Sequence, residues 1–240
     1  MPDTVVIIPT YNEIENIELI IRAVFSQSDN LHILIVDDNS PDLTGLKVKA
    51  LQEEFQGKLF LETRNEKSGL GTAYIHGFKW CLERSYQYIF EMDADFSHDP
   101  RDIMKLYNAC HIEGAGLSIG SRYVTGVNVV NWPMGRVLMS YLASKYVRLI
   151  TGMHIQDTTA GYVCYKREVL EAIDLNTIKF IGYAFQIEMK FKTYLKGFKI
   201  IEVPVIFTDR TRGESKLSSS IISEAIFGVI SMKIKSLFKK

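Results

Sequence analysis

Over the first 120 residues short runs of β-branched and aliphatic residues alternate with longer stretches that have helical spacing of apolar positions. The short runs are Val5 to Ile8, Ile33 to Val36, Leu59 to Leu61, Tyr88 to Met92 and Leu117 to Gly120. The helical stretches are Glu15 to Ser26, Thr44 to Phe55, Thr72 to Ser85 and Pro100 to His111. Parallel strands need a crossover long enough to hold a helix, so this alternation predicts an α/β fold, a Rossmann-like, mainly parallel sheet flanked by helices. Leu34-Ile35-Val36 has no polar alternation, as expected of a strand covered on both faces.

Beyond about residue 121 the alternation weakens. The pattern there predicts a helix over Met134 to Thr151, a short strand at Val163 to Tyr165, a helix over Tyr183 to Leu195 and a strand from Lys199 to Phe207. A basic loop, Arg210 to Lys216, precedes a final amphipathic helix over 217–240. In that helix apolar residues recur from Ile222 to Phe238, and Lys233, Lys235, Lys239 and Lys240 make the end basic. The pattern suits a helix lying on anionic lipid and equally one packed on the sheet. There is no repeat, low-complexity tract or Pro/Gly/Ser linker, so residues 1–240 read as a single domain.

Charge and cysteine content narrow the function. Lys+Arg and Asp+Glu balance at 28 each, which leaves no global field to recruit nucleic acid. Cys81, Cys110 and Cys164 are too widely spaced for a zinc cluster or a disulfide framework and suit a reducing compartment. Met1 leads into Thr4-Val5-Val6 with no basic region or cleavage site, and no apolar run approaches the roughly 20 residues that span a bilayer. The expectation is a soluble or peripheral protein.

Ligands of open parallel sheets bind beyond the carboxyl ends of the strands. Three polar clusters fall there: Pro9-Thr10-Tyr11-Asn12-Glu13, Asp37-Asp38-Asn39-Ser40-Pro41-Asp42 and Asp93-Ala94-Asp95-Phe96-Ser97-His98. Asp93 and Asp95 can share one hard cation whose remaining positions are filled by diphosphate oxygens; alternatively one caps a helix and the other is solvated. Asp37 and Asp38 can accept hydrogen bonds from a base or ribose, or form a turn with Ser40. Tyr11 can flank a base and Glu13 hold a ribose hydroxyl, or Asn12 and Glu13 simply cap a helix. Gly69-Leu70-Gly71 more often permits close packing than phosphate binding, and no Gly-Lys-Ser/Thr follows it. Arg136 and Ser140 are four apart, so on a helix they share a face and can bond one phosphate.

As an ensemble these stretches resemble glycosyltransferase family 2, with the glycosyltransferase-A fold, and within it the dolichol-phosphate (polyprenol-phosphate) mannosyltransferases. The resemblance continues through Gly120-Ser121-Arg122-Tyr123, Asn131-Trp132-Pro133, Asp157-Thr158-Thr159, Phe185-Gln186-Ile187-Glu188-Met189 and Arg210 to Lys216. It implies a single catalytic domain with a GDP-mannose donor, Mg2+ or Mn2+, a polyprenyl monophosphate acceptor and inversion at the sugar carbon. On that basis Pro9, Tyr11, Glu13 and Asp38 line the nucleoside, Asp93 and Asp95 bind the metal, and Arg210 and Lys216 reach the donor diphosphate. Arg122, Arg136 and Ser140 hold the acceptor phosphate, and Asp95, Arg122 and Arg136 carry the catalysis. The setting it implies is peripheral, at the cytoplasmic face of a membrane, with room for a membrane-protein partner.

Three positions depart from the family pattern: Leu43 stands where Gly is usual, Ser97 replaces a Gln that some members offer the metal, and Val163 stands where Arg is common. The alternatives are another sugar on the same lipid phosphate (from UDP-glucose or UDP-N-acetylglucosamine), a sugar nucleotidyltransferase, or a non-catalytic binding module. A nucleotidyltransferase would carry a Gly-rich basic loop after the first strand, and Pro9 to Glu13 is not one.

Overall fold

In the computed structural model, which describes residues 3–182, 184–209 and 219–238, strand β1 (Thr4–Thr10) lies between β2 (Leu31–Asp37) and β4 (Tyr88–Glu91), parallel to both. β3 (Leu59–Thr63) lies parallel outside β2. Past β4 come β7 (Val163–Lys166), β5 (Leu117–Ser121) and β8 (Ile200–Pro204), giving the order β3-β2-β1-β4-β7-β5-β8. β7 is antiparallel to both its neighbours; every other pairing in the sheet is parallel. The mainly parallel sheet is therefore found, with strands from both halves of the chain in it.

Alternate residues of β1 feed two separate cores. Val6 and Ile8 face α1 (Ile17–Phe25), α2 (Thr44–Gln52) and α4 (Ile103–His111), contributing to a cluster with Ile17, Ile20, Val48 and Leu106. Val5 and Ile7 face α3 (Leu70–Leu82), α6 (Arg167–Ala172) and α7 (Ala184–Leu195), with Tyr74, Phe78, Leu170 and Phe185. A strand buried on both sides has no polar positions to spare until it ends, which concentrates polar groups at its carboxyl end.

The helix predicted over Met134 to Thr151 is α5, with the same bounds. The single strand predicted from Lys199 to Phe207 is instead two. β8 ends at Pro204, whose ring nitrogen cannot donate to a ladder, and β9 (Phe207–Thr208) pairs in a separate two-stranded sheet with β6 (Val129–Val130). The other predicted elements shift at their ends: α1 starts at Ile17, and β4 stops at Glu91 before Met92. Leu43 adopts a left-handed backbone with φ 71°, a conformation that costs a residue with a Cβ about 1–2 kcal/mol and a glycine little.

Helix α8 (Ser219–Phe238) divides its faces. Val229 is buried in the core shared with α5 and α7, and Lys233 Nζ donates to the Thr151 carbonyl at 3.1 Å. Gly228 lies so close to Phe180 that a Cβ there would stand 2.5 Å from the ring. Phe227, Ile234, Leu237 and Phe238 are exposed. Among the described residues no helix is long and apolar enough to cross a membrane.

Candidate active site

The loops after β1 and β2 are laced together. The Asn12, Glu13 and Ile14 amides donate to Ser40 Oγ, Thr44 Oγ1 and Asp42 Oδ2, each at 3.0 Å. Asp37 organises this junction: Thr10 Oγ1 donates to Oδ1 at 2.8 Å, and the Ser40 amide and hydroxyl donate at 3.0 and 2.6 Å. Asp37 thus forms the turn expected with Ser40. Pro9 sits in β1 opposite Val36, and Lys67 Nζ lies 4.5 Å from the centre of the Tyr11 ring. The Glu13 carboxylate accepts from Asn16 Nδ2 at 2.9 Å.

Asp38 meets a partner that local sequence did not announce. Arg64 grips both of its carboxylate oxygens, at 2.6 and 2.7 Å, and reaches Thr72 Oγ1 at 2.7 Å. Each carboxylate oxygen keeps a second lone pair for a ligand hydroxyl. Gly71 allows α3 to approach α7, since a Cβ there would stand 2.8 Å from the Phe185 ring. The packing role expected for this turn is the one the structure shows.

Parallel pairing of β1 with β4 brings the third cluster alongside. The Met92 amide donates to the Ile7 carbonyl at 3.1 Å, which sets Asp93 beside the end of β1. Asp93 keeps a side chain 37% exposed and receives the fully buried Tyr74 phenol at 3.5 Å. Burial first, and then the charge of Asp93, push that phenol well above its ordinary pKa, so it acts as a donor. Asp95 is mostly buried and accepts from the Ser97 amide at 3.0 Å, while Ser97 Oγ is buried with no hydrogen-bond partner. Helix capping falls instead to Asp99, which accepts from the Arg101 amide. Among the described residues no group of three or more His, Cys, Asp or Glu side chains completes a metal cage. Two carboxylates and a hydroxyl form a hard-oxygen set, suited to Mg2+ or Mn2+ with further ligands from elsewhere.

Behind β4 the sheet carries a buried polar chain. Gln186 Nε2 donates to Glu91, and Lys190 Nζ donates to the Ala160 carbonyl at 2.6 Å. Burial raises the Glu91 pKa and lowers that of Lys190.

On the far side, Arg122 follows β5 and is buried. Its Nε and Nη2 donate to the two carboxylate oxygens of Asp157 at 2.7 and 2.6 Å, and Nη2 also reaches Thr159 Oγ1 at 2.8 Å. Burial alone would raise the pKa of Asp157; the charge and hydrogen bonds of Arg122 outweigh it and hold the carboxyl below its usual range. Arg136, in the first turn of α5, stands 4.1 Å from the Trp132 ring centre, and Arg122 stands 5.3 Å from it, so one indole touches both guanidinium groups. Arg136 Nη1 also donates to Asp209 Oδ1 at 2.7 Å. Ser140 is half-buried one turn further along α5. Arg210 and Lys216 lie outside the described residues.

The described sequence clusters thus lie beyond the carboxyl ends of the parallel strands, nucleoside candidates and carboxylates after β1, β2 and β4, candidate phosphate-binding residues after β5 and on α5. Residues 5–174 match the sequence profile of Glycosyl transferase family 2. The chain belongs to that family. Polyprenol monophosphomannose synthase of Mycolicibacterium smegmatis is 47% identical over 232 residues, covering 97% of this chain and 87% of that protein. Undecaprenyl-phosphate mannosyltransferase of Micrococcus luteus is 44% identical over 223 residues, covering 93% and 90%. The solved mannosyltransferase of Pyrobaculum calidifontis in complex with GDP-Man and Mn2+ matches with a TM-score of 0.61 over 98% of this chain and 74% of that one. Its 18% identity makes that a likeness of fold, and the fold is glycosyltransferase-A. Arg64, Tyr74 and Asp209 join the site without having been singled out in the sequence; each is remote in the chain from the group it holds, so no local spacing marks it.

Proposed function

We propose that this protein transfers mannose from GDP-mannose to a polyprenyl monophosphate, with inversion at the sugar carbon and dependence on Mg2+ or Mn2+. What carries this reading is near-full-length identity, 47% and 44%, to two enzymes named for joining mannose to polyprenyl phosphates. The positions of the polar clusters support it. Pro9, Tyr11, Glu13 and Asp38 take the nucleoside, with Arg64 holding the Asp38 carboxylate in place. Asp93 and Asp95 take the metal, which supplies charge neutralisation for the departing diphosphate. Arg210 and Lys216 reach the same diphosphate. Arg122, Arg136 and Ser140 receive the acceptor phosphate and hold it against repulsion from the donor. An acceptor phosphate oxygen forms the new bond to the sugar carbon as the bond to GDP breaks, and the electron pair leaves on the GDP oxygen.

A single domain over 1–240 serves this reaction, placed peripherally at the cytoplasmic face of a membrane. The exposed apolar residues of α8, with Met134, Leu138 and Leu142 along one face of α5, suit contact with lipid. The deciding experiment offers GDP-mannose, UDP-glucose and UDP-N-acetylglucosamine with a short polyprenyl phosphate, with and without chelator. Efficient, chelator-sensitive mannosyl transfer is expected; transfer of another sugar alone overturns the donor, and transfer to none of the lipid acceptor overturns the reaction.

A further inference from the structure

His98 lies where three parts of the site meet, and the roles assigned so far leave it out. Its ring is almost wholly buried. Nδ1 accepts the backbone N–H of Asp93 at 3.0 Å, and Nε2 lies 4.0 Å from Asp93 Oδ2. One face stacks on Tyr162, with ring centres 4.8 Å apart and an interplanar angle of 13°. Phe207 of β9 meets the ring edge-on, with centres 5.6 Å apart and an angle of 79°. A Cβ added to Gly161 would stand 3.6 Å from His98 Cε1, so the backbone at Gly161 lies directly against the imidazole.

These neighbours belong to different machinery. Asp93 is a candidate metal carboxylate. Gly161 and Tyr162 end the segment that begins with Asp157, the partner of Arg122. Phe207 stands two residues before Asp209, the partner of Arg136, and stacks edge-on against Trp132. One rigid ring therefore touches the loop that carries the metal carboxylates and both segments that hold the phosphate-binding arginines. The chemistry at Nδ1 fixes its form: a nitrogen that accepts an amide proton carries none, so the neutral ring has its proton on Nε2, on the side of the Asp93 carboxylate.

We propose that His98 is a positioning residue that sets the metal-binding end of β4 through Nδ1 and seats the acceptor-binding segments through the faces of its ring. It has this task only if Asp93 and Asp95 hold the metal as proposed above. Two substitutions separate its two halves. His98→Asn keeps an acceptor near the place of Nδ1 and removes most of the ring. His98→Phe keeps a ring of similar size and removes the acceptor.

The test measures Mn2+ binding in the presence of GDP by electron paramagnetic resonance, acceptor KM by steady-state transfer, and thermal unfolding, in wild type and both variants. His98→Phe is expected to weaken Mn2+ about tenfold, the scale on which outer-shell partners of metal ligands act, with acceptor KM changed less than twofold. His98→Asn is expected to stay within about threefold of wild type for Mn2+ and to raise acceptor KM about fivefold or more, as loss of alignment would. A core-filling role moves only the unfolding temperature, and either that result or equal losses of both kinds in both variants overturns the proposal. Failure of wild type itself to bind Mn2+ with GDP refutes the metal assignment instead. Should either variant not fold, 15N imidazole spectra of wild type decide: the Nε2–H tautomer is expected, and the Nδ1–H tautomer overturns the proposal.

Discussion

Arg136 donates from Nη1 to Asp209 Oδ1 at 2.7 Å, so the arginine proposed for the acceptor phosphate is held by the residue that adjoins Arg210, proposed for the donor diphosphate. Both side chains are about one-quarter exposed, at 25% and 26%, where an ion pair is screened and contributes modestly. A phosphate dianion can compete with one carboxylate on those terms. Arg136→Ala is expected to raise acceptor KM and lower turnover while donor affinity stays nearly unchanged. Arg136→Lys recovers part of the loss, because an ammonium cannot reproduce the guanidinium fork. Asp209→Asn, which removes the competitor, is expected to lower acceptor KM roughly two- to fivefold, the equivalent of a partly exposed pair. Steady-state kinetics against acceptor and equilibrium titration with GDP check all three; equal weakening of donor and acceptor by Arg136→Ala contradicts the assignment.

Asp95 is the better buried of the two candidate metal carboxylates, and its Oδ1 is already fixed by the Ser97 amide. Asp95→Ala removes a pre-oriented oxygen and leaves the diphosphate charge less neutralised. Turnover is expected to fall on the order of a hundredfold or more, and metal-dependent GDP binding to weaken with it. Wild type treated with chelator should show the same loss, restored by Mg2+ or Mn2+. Near-normal activity of the variant in metal-restored buffer would refute the role.

Much of this site was legible in the sequence because strand ends are. A strand covered on both faces is apolar until it stops, so Asp37-Asp38 and Asp93-Ala94-Asp95 stand out at the points where β2 and β4 end. Helix α5 was legible to the residue: Pro133 sets its start and Gly152, at φ 80°, its end. The switch between β8 and β9 was not, because the strand-like stretch Ile200 to Phe207 continues while its hydrogen-bond partner changes from β5 to β6, and β6 is only two residues long. Arg64 was hidden for a related reason. It pairs with Asp38 across 26 residues of chain, through register of β2 and β3 that no local pattern encodes. The full turn at Asp37 was hidden too, because Thr10 joins Ser40 on its carboxylate from 27 residues away in the chain.

The Arg122–Asp157 pair gives a pH dependence of known sign. The Asp157 carboxyl is held below its ordinary pKa in the folded protein, so it binds fewer protons there than when unfolded. Its stabilisation is present above about pH 4, the unfolded value, and is lost as pH falls through the lower folded value. Asp157→Asn should cost about 3–5 kcal/mol near pH 7, because it strands a buried guanidinium. The gap between variant and wild type in denaturant titrations should narrow as pH drops below about 4. A gap that is constant between pH 7 and pH 3 would show that the ion pair is not its source.

Helix α8 exposes Phe227, Ile234, Leu237 and Phe238 although Val229 anchors it to the body. If the outer face meets lipid, replacing Leu237 and Phe238 together by Ser should reduce sedimentation with anionic liposomes and leave the unfolding temperature nearly unchanged. Burial of an apolar side chain in the interface is worth on the order of 1–2 kcal/mol each, so the partition constant should fall roughly tenfold or more. Unchanged sedimentation would remove the tail from the membrane contact and leave the exposed face of α5 as its remaining candidate.

The acceptor itself determines how the rate responds to pH. A neutral alcohol needs a general base to become a nucleophile, whereas a phosphate monoester carries its charge already, with a second pKa of about 6. The groups proposed around the acceptor, Arg122, Arg136 and Ser140, are cations and a hydroxyl, and the carboxylates Asp157 and Asp209 accept hydrogen bonds from the arginines. An acceptor that is already an anion needs neither as a base. The rate should therefore hold between about pH 7 and 8 and fall below about pH 6 as the acceptor gains a proton. The midpoint should follow the acceptor: a phosphonate analogue, whose second pKa is higher, should move it upward. Arg136→Ala should move the midpoint of kcat, which reports the bound acceptor, upward too, because a guanidinium stabilises the dianion, and leave that of kcat/KM in place. Measuring kcat and kcat/KM for acceptor from pH 5 to 8 with both lipids decides it, and a midpoint that ignores the acceptor while shifting in a carboxylate variant outside the metal pair would mean that a protein base drives the transfer.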